Sequence, residues 1–287
     1  MFKISIISDE VSQDFRRAAA FAKRFNLDGV EIRSVWGKGP HLLLQEAGEI
    51  KRILFEHGLK VSAIASPLFK ADIDSEKEYE EHLNILRNCI ELAIKLEARV
   101  IRGFTFWRRG AMEDYVDKIL EKYQKPLEII EDEDIILGVE NEPSTFAGNG
   151  RELALFLSKI NSEKVKAVWD PGNDIFDPLG EAPYPDGYNY VRKWIVHIHI
   201  KDGVRRGREG KPEYTALGEG EVPYEEHFKA LRNDGYSGYI SLETHWRPKR
   251  KIPENVLTKP GGEEFSYAGE EASEICIRNL LRMLKSM

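Results

Sequence analysis

The strongest constraint on this chain is a rhythm. Short apolar, β-rich runs alternate with longer amphipathic segments from one end to the other. The runs predict strands over residues 3–8, 29–33, 60–65, 99–104, 135–140, 165–170, 195–200 and 238–243. Apolar residues at helical spacing predict helices over 15–25, 43–57, 76–96, 112–130, 150–160, 184–193, 224–233 and 270–285. Strict alternation of this kind calls for parallel strands covered by helices. Eight such units in 287 residues favour a closed (β/α)8 barrel, read as a single domain over 1–287. An open doubly wound sheet is the alternative. No glycine-rich dinucleotide fingerprint follows the first strand, which counts against it.

Bulk properties remove several classes of function. The apolar fraction of 41% supplies a core, so the chain is not read as disordered. The net charge of −7 argues against a nucleic-acid partner. No apolar run approaches the ~18 residues that span a bilayer, so no membrane partner is expected. The N-terminal segment lacks signal-peptide architecture, because Ser5, Ser8 and Asp9 interrupt its short apolar stretch. Cys89 and Cys276 fall inside predicted helices and outside any CxxC pattern, as expected of buried thiols in a reducing compartment. A cytoplasmic location is the resulting expectation.

Chemistry concentrates at the ends of the last four strands. Glu140 ends Ile-Leu-Gly-Val-Glu, Asp170 ends Ala-Val-Trp-Asp, His199 lies in His-Ile-His-Ile-Lys-Asp, and Glu243 ends Tyr-Ile-Ser-Leu-Glu. In a barrel these ends form one rim, where active sites are built. Three carboxylates and an imidazole suit one hard or borderline divalent metal. Such an ion polarises a carbonyl and its neighbouring hydroxyl, and Glu140 and Glu243 then form an acid/base pair for proton chemistry beside that carbonyl.

Side chains two apart on a strand share a face. His197, His199 and Lys201 therefore point one way, with His197 a layer deeper as a group orienting a ligand and Lys201 at the mouth. Glu142 shares a face with Glu140, and His245 with Glu243. Glu31 and Arg33 share a face at the end of the second strand and are expected in the substrate pocket, with a structural ion pair as the rival reading. Arg102 and Trp107 are candidates from the fourth strand and the segment after it, and Trp246 from the loop after the eighth. Parity does not decide between Arg102 and Gly103 as the inward residue. Two basic loops follow the seventh and eighth strands: one carries Arg205, Arg206, Arg208 and Lys211, the other Arg247, Lys249, Arg250, Lys251 and Lys259.

The segments Gly-Val-Glu-Asn, Trp-Asp-Pro-Gly-Asn, His-Ile-His-Ile-Lys-Asp and Leu-Gly-Glu-Gly-Glu-Val-Pro-Tyr resemble the xylose isomerase-like TIM barrel superfamily. Within it, the resemblance is to the sugar phosphate isomerase/epimerase group, relatives of D-tagatose 3-epimerase and inosose dehydratase. It implies one divalent ion, Mn2+, Mg2+, Co2+ or Zn2+, on Glu140, Asp170, His199 and Glu243. It also implies a small sugar or polyol substrate and often a homo-dimer or tetramer. Members commonly carry a second His three residues after the Asp, where this chain has Asn173, counted here among the substrate contacts. The endonuclease IV-like repair enzymes add an Asp-x-His pair where this chain has Pro212-Glu213-Tyr214.

The reading that results is a metal-dependent sugar isomerase or epimerase working through an enediolate. An inosose-type dehydratase is the alternative. A non-catalytic sugar-binding barrel and a repair nuclease rank below both.

Overall fold

The computed structural model describes residues 2–207, 210–248 and 266–286. Arg208 of the first basic loop, and Lys249, Arg250, Lys251 and Lys259 of the second, lie outside the described residues.

Eight strands close into a parallel barrel: β1 (Lys3–Ile7), β2 (Gly29–Ile32), β3 (Lys60–Leu68), β4 (Val100–Gly103), β5 (Ile136–Glu140), β6 (Val165–Trp169), β7 (Ile195–Ile200) and β10 (Tyr239–Leu242). β10 pairs with β7 on one side and with β1 on the other, which completes the ring. A two-stranded antiparallel hairpin, β8 (Asp202–Val204) with β9 (Glu213–Thr215), rises directly from the end of β7. The helices are α1 (Phe15–Arg24), α2 (Ala47–His57), α3 (Glu76–Leu96), α4 (Met112–Ile129), α5 (Gly150–Ile160), α6 (Pro171–Phe176), α7 (Tyr188–Val191), α8 (Tyr224–Asn233) and α9 (Gly269–Lys285).

The strands have two buried faces of different character. Ile6, Val30, Ile32, Ile101, Leu137, Val139, Ile198, Ile200, Ile240 and Leu242 belong to the large apolar core formed with the helices. The intervening positions form the polar interior. Ser5, Ser241 and His199 sit opposite one another in register across β1, β10 and β7. A small apolar cluster of Ala63, Val100 and Val168 is separate from the large core. This alternation explains how His197 and His199 are buried while Ile198 and Ile200, between and after them, remain core residues.

Two expectations change. The helix expected over 184–193 is broken into a π-turn (Pro183–Gly187), the short α7 and a 3-10 turn (Arg192–Trp194). Pro183 and Pro185 lack the amide hydrogen a continuous helix would use, and Tyr184 adopts extended φ/ψ. The loop expected after the seventh strand contains the β8–β9 hairpin. Asp170-Pro171 opens α6. Proline at the first turn of a helix is permitted because its missing N–H had no partner there.

Candidate active site and metal centre

Each ligand candidate is placed by local bonding at its strand end. Glu140 is the last residue of β5. Next to it, the Asn141 side chain acts as a backbone substitute. Its Nδ2 donates to the Asp170 carbonyl at 2.8 Å, and its Oδ1 accepts from the Asp170 N–H at 2.8 Å, fastening the end of β5 to that of β6. Asp170 caps α6 by accepting from the Asn173 N–H at 3.2 Å. A Cβ at position 172 would lie 2.5 Å from the Lys201 carbonyl oxygen, so Gly172 lets this turn press against the end of β7. Glu243 follows β10 directly, its N–H donating to the Ile200 carbonyl at 3.0 Å.

These placements bring Glu140, Asp170, His199 and Glu243 together with one ligand atom from each lying within 4.8 Å of the others. All four are buried. An ion bound at about 2.0–2.2 Å to oxygen or nitrogen ligands fits inside that spacing. Among the described residues two other groups, Glu31/His197/His199 and Glu10/Glu243/His245, meet the same spacing. The second of these already holds Arg33 and Arg247 against its carboxylates.

Every ligand carboxylate is also held by protein cations or amides. Lys201 Nζ bridges Asp170 Oδ2 and Glu243 Oε2, 2.5 Å from each. Arg33 Nη1 donates to Glu243 Oε1 at 2.7 Å, and Arg102 Nη1 to Glu140 Oε2 at 3.1 Å. Asn173 Nδ2 donates to Glu140 Oε1 at 3.2 Å. Arg102 is thus the inward residue of β4. His199 Nδ1 faces Glu140 Oε1 at 3.3 Å, and its Nε2 lies 2.9 Å from Glu31 Oε1.

Burial and charge compete within this cluster. For Glu140, burial favours the neutral acid, but His199 and Arg102 outweigh it and hold the group at about 2. Burial acts the same way on Glu243, where His245, Lys201 and Arg33 prevail and keep it well below the usual range. For Asp170 burial prevails, reinforced by Glu140 and Glu243, and pushes it up to about 7 despite Lys201. Burial would lower His199, yet Glu31 and Glu140 raise it to about 10. The metal-free cluster therefore retains protons on two of its four candidate ligands, as expected of a donor set short of positive charge.

The structure separates the remaining candidates. Glu31 is fully buried and bonds to His197 and His199 instead of facing the mouth. Trp107 is half-buried in a bridge with Thr145. Arg205 donates to the Glu181 carbonyl, and Trp246 packs on the apolar core. Asp9, Glu10 and Lys70, not singled out from the sequence, also belong to the rim, with His245 and Glu142 as partners. Asp9 and Glu10, just past β1, bind Arg33 at 2.9 and 2.7 Å. His245 Nδ1 lies 2.9 Å from Glu10 Oε1. Lys70 binds Glu142 at 2.5 Å and lies 4.6 Å from the centre of the Phe104 ring. Tyr214, from β9, packs edge-on against His245, and burial pushes its hydroxyl up. Asp9 and Glu10 carry the same signal as Glu140, acids ending an apolar strand. Lys70 was out of reach because β3 runs on to Leu68, past the expected end at residue 65.

Residues 19–263 match the family described as Xylose isomerase-like TIM barrel. The chain belongs to that family. Among its relatives, an inosose dehydratase from Clostridium botulinum is 26% identical over 140 residues, 42% of this chain and 43% of that protein. The chain spans less than two thirds of the length of the curated relatives it matches, 65% and 43%. Two solved structures share the fold over nearly the whole chain. IolI protein with a bound zinc atom has a TM-score of 0.74 at 16% identity, covering 99% of each chain. D-Allulose 3-epimerase from Methylomonas sp. in complex with D-allulose has a TM-score of 0.68 at 18% identity, covering 95% of each. Among the described residues no helix is long and apolar enough to cross a membrane.

Proposed function

We propose that this protein is a divalent-metal-dependent sugar isomerase or epimerase acting on a small ketose or polyol derivative. The observation that carries the reading is the convergence of Glu140, Asp170, His199 and Glu243 to within 4.8 Å at one end of the barrel. Those four residues would hold the ion. When bound, the ion supplies Lewis-acid polarisation of a carbonyl and its neighbouring hydroxyl.

The chain's own groups do the rest. Arg33 and Lys201 keep Glu243 ionised, so it accepts the proton from the carbon beside the carbonyl. Arg102 and His199 keep Glu140 ionised as well. Glu140 picks up a proton from solvent and delivers it to the opposite face of that carbon, and Glu243 releases to solvent the proton it took, so both carboxylates end the cycle ionised. Asn173 holds Glu140 in place, and Lys201 and Arg102 stand beside the carboxylates where a developing oxyanion gains most from positive charge. Arg205, Trp107 and Trp246 are assigned to the outer substrate boundary.

The test is a panel of neutral ketoses and inososes incubated in D2O with Mn2+ and followed by proton NMR. Wild type should wash deuterium into the carbon beside the carbonyl, and Glu243→Gln should slow this by about 10²–10⁴-fold. Full exchange in both Glu140→Gln and Glu243→Gln would remove the acid/base assignment.

The inosose dehydratase relative favours a second reading, loss of water from the same enediolate. Growth of enone absorbance with an inosose substrate would establish the dehydratase instead.

A further inference from the structure

Below the four-ligand cluster lies a carboxylate whose bonding partners are both imidazoles. Glu31 Oε1 is 2.9 Å from His199 Nε2, and Glu31 Oε2 is 2.8 Å from His197 Nε2. All three side chains are buried, with 1% exposure or less. His199 turns its other nitrogen, Nδ1, towards Glu140 Oε1 at 3.3 Å. We propose that Glu31 decides which nitrogen His199 offers to an ion, accepting a hydrogen bond from Nε2–H and leaving Nδ1 as the donor. The inference rests on the metal-binding reading above and goes beyond it by giving Glu31 a positioning role.

The argument is one of hydrogen-bond inventory. A neutral imidazole has a single N–H, and only the other nitrogen carries a lone pair for a metal. A carboxylate accepts and never donates, so an ionised Glu31 requires the proton to sit on Nε2 of each histidine it touches. In the metal-free protein His199 also carries a proton on Nδ1, turned towards Glu140; that is the one an ion displaces, so Nδ1 becomes the donor while Nε2–H stays on Glu31. His197 fits the same logic from beneath. Its ring meets that of His199 edge-on, 5.3 Å between centres, so it acts on His199 through the shared carboxylate. Two imidazoles at opposite ends of Glu31 fix its plane, and that plane fixes the His199 ring.

Glutamine at position 31 turns this logic into an experiment. Its amide has one acceptor and one donor end, so one of the two histidines must move its proton to Nδ1. Where that is His199, the metal donor is lost, with no change in shape or bulk. Loss of a group that orients a metal ligand typically costs about 10–100-fold in metal affinity.

The measurement uses protein labelled with nitrogen-15 at histidine, stripped with chelator and titrated with Zn2+ alone. Long-range proton–nitrogen NMR follows both ring nitrogens of His199. The expected result is a proton on Nε2 and a zinc-bound Nδ1 in wild type, with Zn2+ affinity reduced about 10–100-fold in Glu31→Gln. Zinc on Nε2 of His199, or on Nε2 of both histidines, would overturn the assignment and leave metal binding standing. No Zn2+ uptake by wild type would instead overturn the metal reading itself. The wild-type spectrum is decisive even if Glu31→Gln fails to fold, and unchanged affinity in a folded Glu31→Gln would count against Glu31.

Discussion

The two halves of the barrel rim do different jobs. The second half, β5 to β10, supplies the four candidate ligands Glu140, Asp170, His199 and Glu243. The first half, β1 to β4, supplies the groups that hold three of them. Arg33, just past β2, reaches Glu243, Arg102 on β4 reaches Glu140, and Glu31 on β2 reaches His199. Donors on one arc are thus charged and oriented from the other. A buried ion pair is seldom a net source of stability, but breaking one leaves an uncompensated charge. The first half therefore governs whether the second half can exist as four closely spaced ligands.

The difference can be broken from either side. The largest effect is expected on the ligand arc. His199→Ala or Asp170→Asn should abolish ion binding by calorimetry while circular dichroism retains the barrel. On the supporting arc, Arg33→Met removes the guanidinium that buried Asp9, Glu10 and Glu243 share, leaving Glu10 to His245 and Arg247 and Glu243 to Lys201. Denaturant unfolding should show a loss of about 3–5 kcal/mol. A loss below about 1 kcal/mol would mean that the first half is not what holds the cluster.

Acidity sharpens the comparison. In the metal-free protein Asp170 sits at about 7 and His199 at about 10, so entry of an ion displaces protons from both. Metal affinity should rise with pH between about 6 and 8, each displaced proton contributing up to about tenfold per unit. The stability signs agree with each other. Both groups have folded values above their unfolded ones, so each stabilises the metal-free fold at low pH. Asp170 loses its contribution as pH rises from its ordinary 3.8 through about 7, and His199 as pH rises from 6.5 through about 10. Metal-free protein should therefore become easier to unfold as pH rises from 5 to 9, and saturating metal should reduce that slope. A metal-free protein whose melting temperature rises across this range would contradict the charge balance described for the site.

The smallest effect belongs to the Lys70–Glu142 pair, whose side chains are 10% and 17% exposed. Lys70→Met should cost only about 1 kcal/mol, because solvent reaches both partners. A much larger loss would make this edge of the mouth part of the supporting arc.

The same comparison explains what was legible in the sequence. Alternating apolar runs reveal the barrel because the outward strand faces need periodic apolar residues. Glu140, Asp170, His199 and Glu243 stand out because each interrupts or ends such a run. The supporting groups do not stand out as a set, because their meaning is pairwise. Arg33 is an ordinary strand-end arginine until β10 brings Glu243 within 2.7 Å. Glu31 is legible as an inward residue, but parity does not reveal that the far side of the barrel places two imidazoles against it. The hairpin β8–β9 and the broken segment at Pro183–Gly187 escaped for another reason: tertiary packing, rather than periodicity, decides their course.

The most direct test is calorimetric titration of Mn2+ into chelator-stripped wild type, repeated for His199→Ala and for Glu243→Gln. The expected result is one ion per chain in wild type, proton release on binding, and loss of the signal in both variants. If Mn2+, Mg2+, Co2+ and Zn2+ all fail to bind wild type, or bind both variants equally well, the four rim residues are not a metal site.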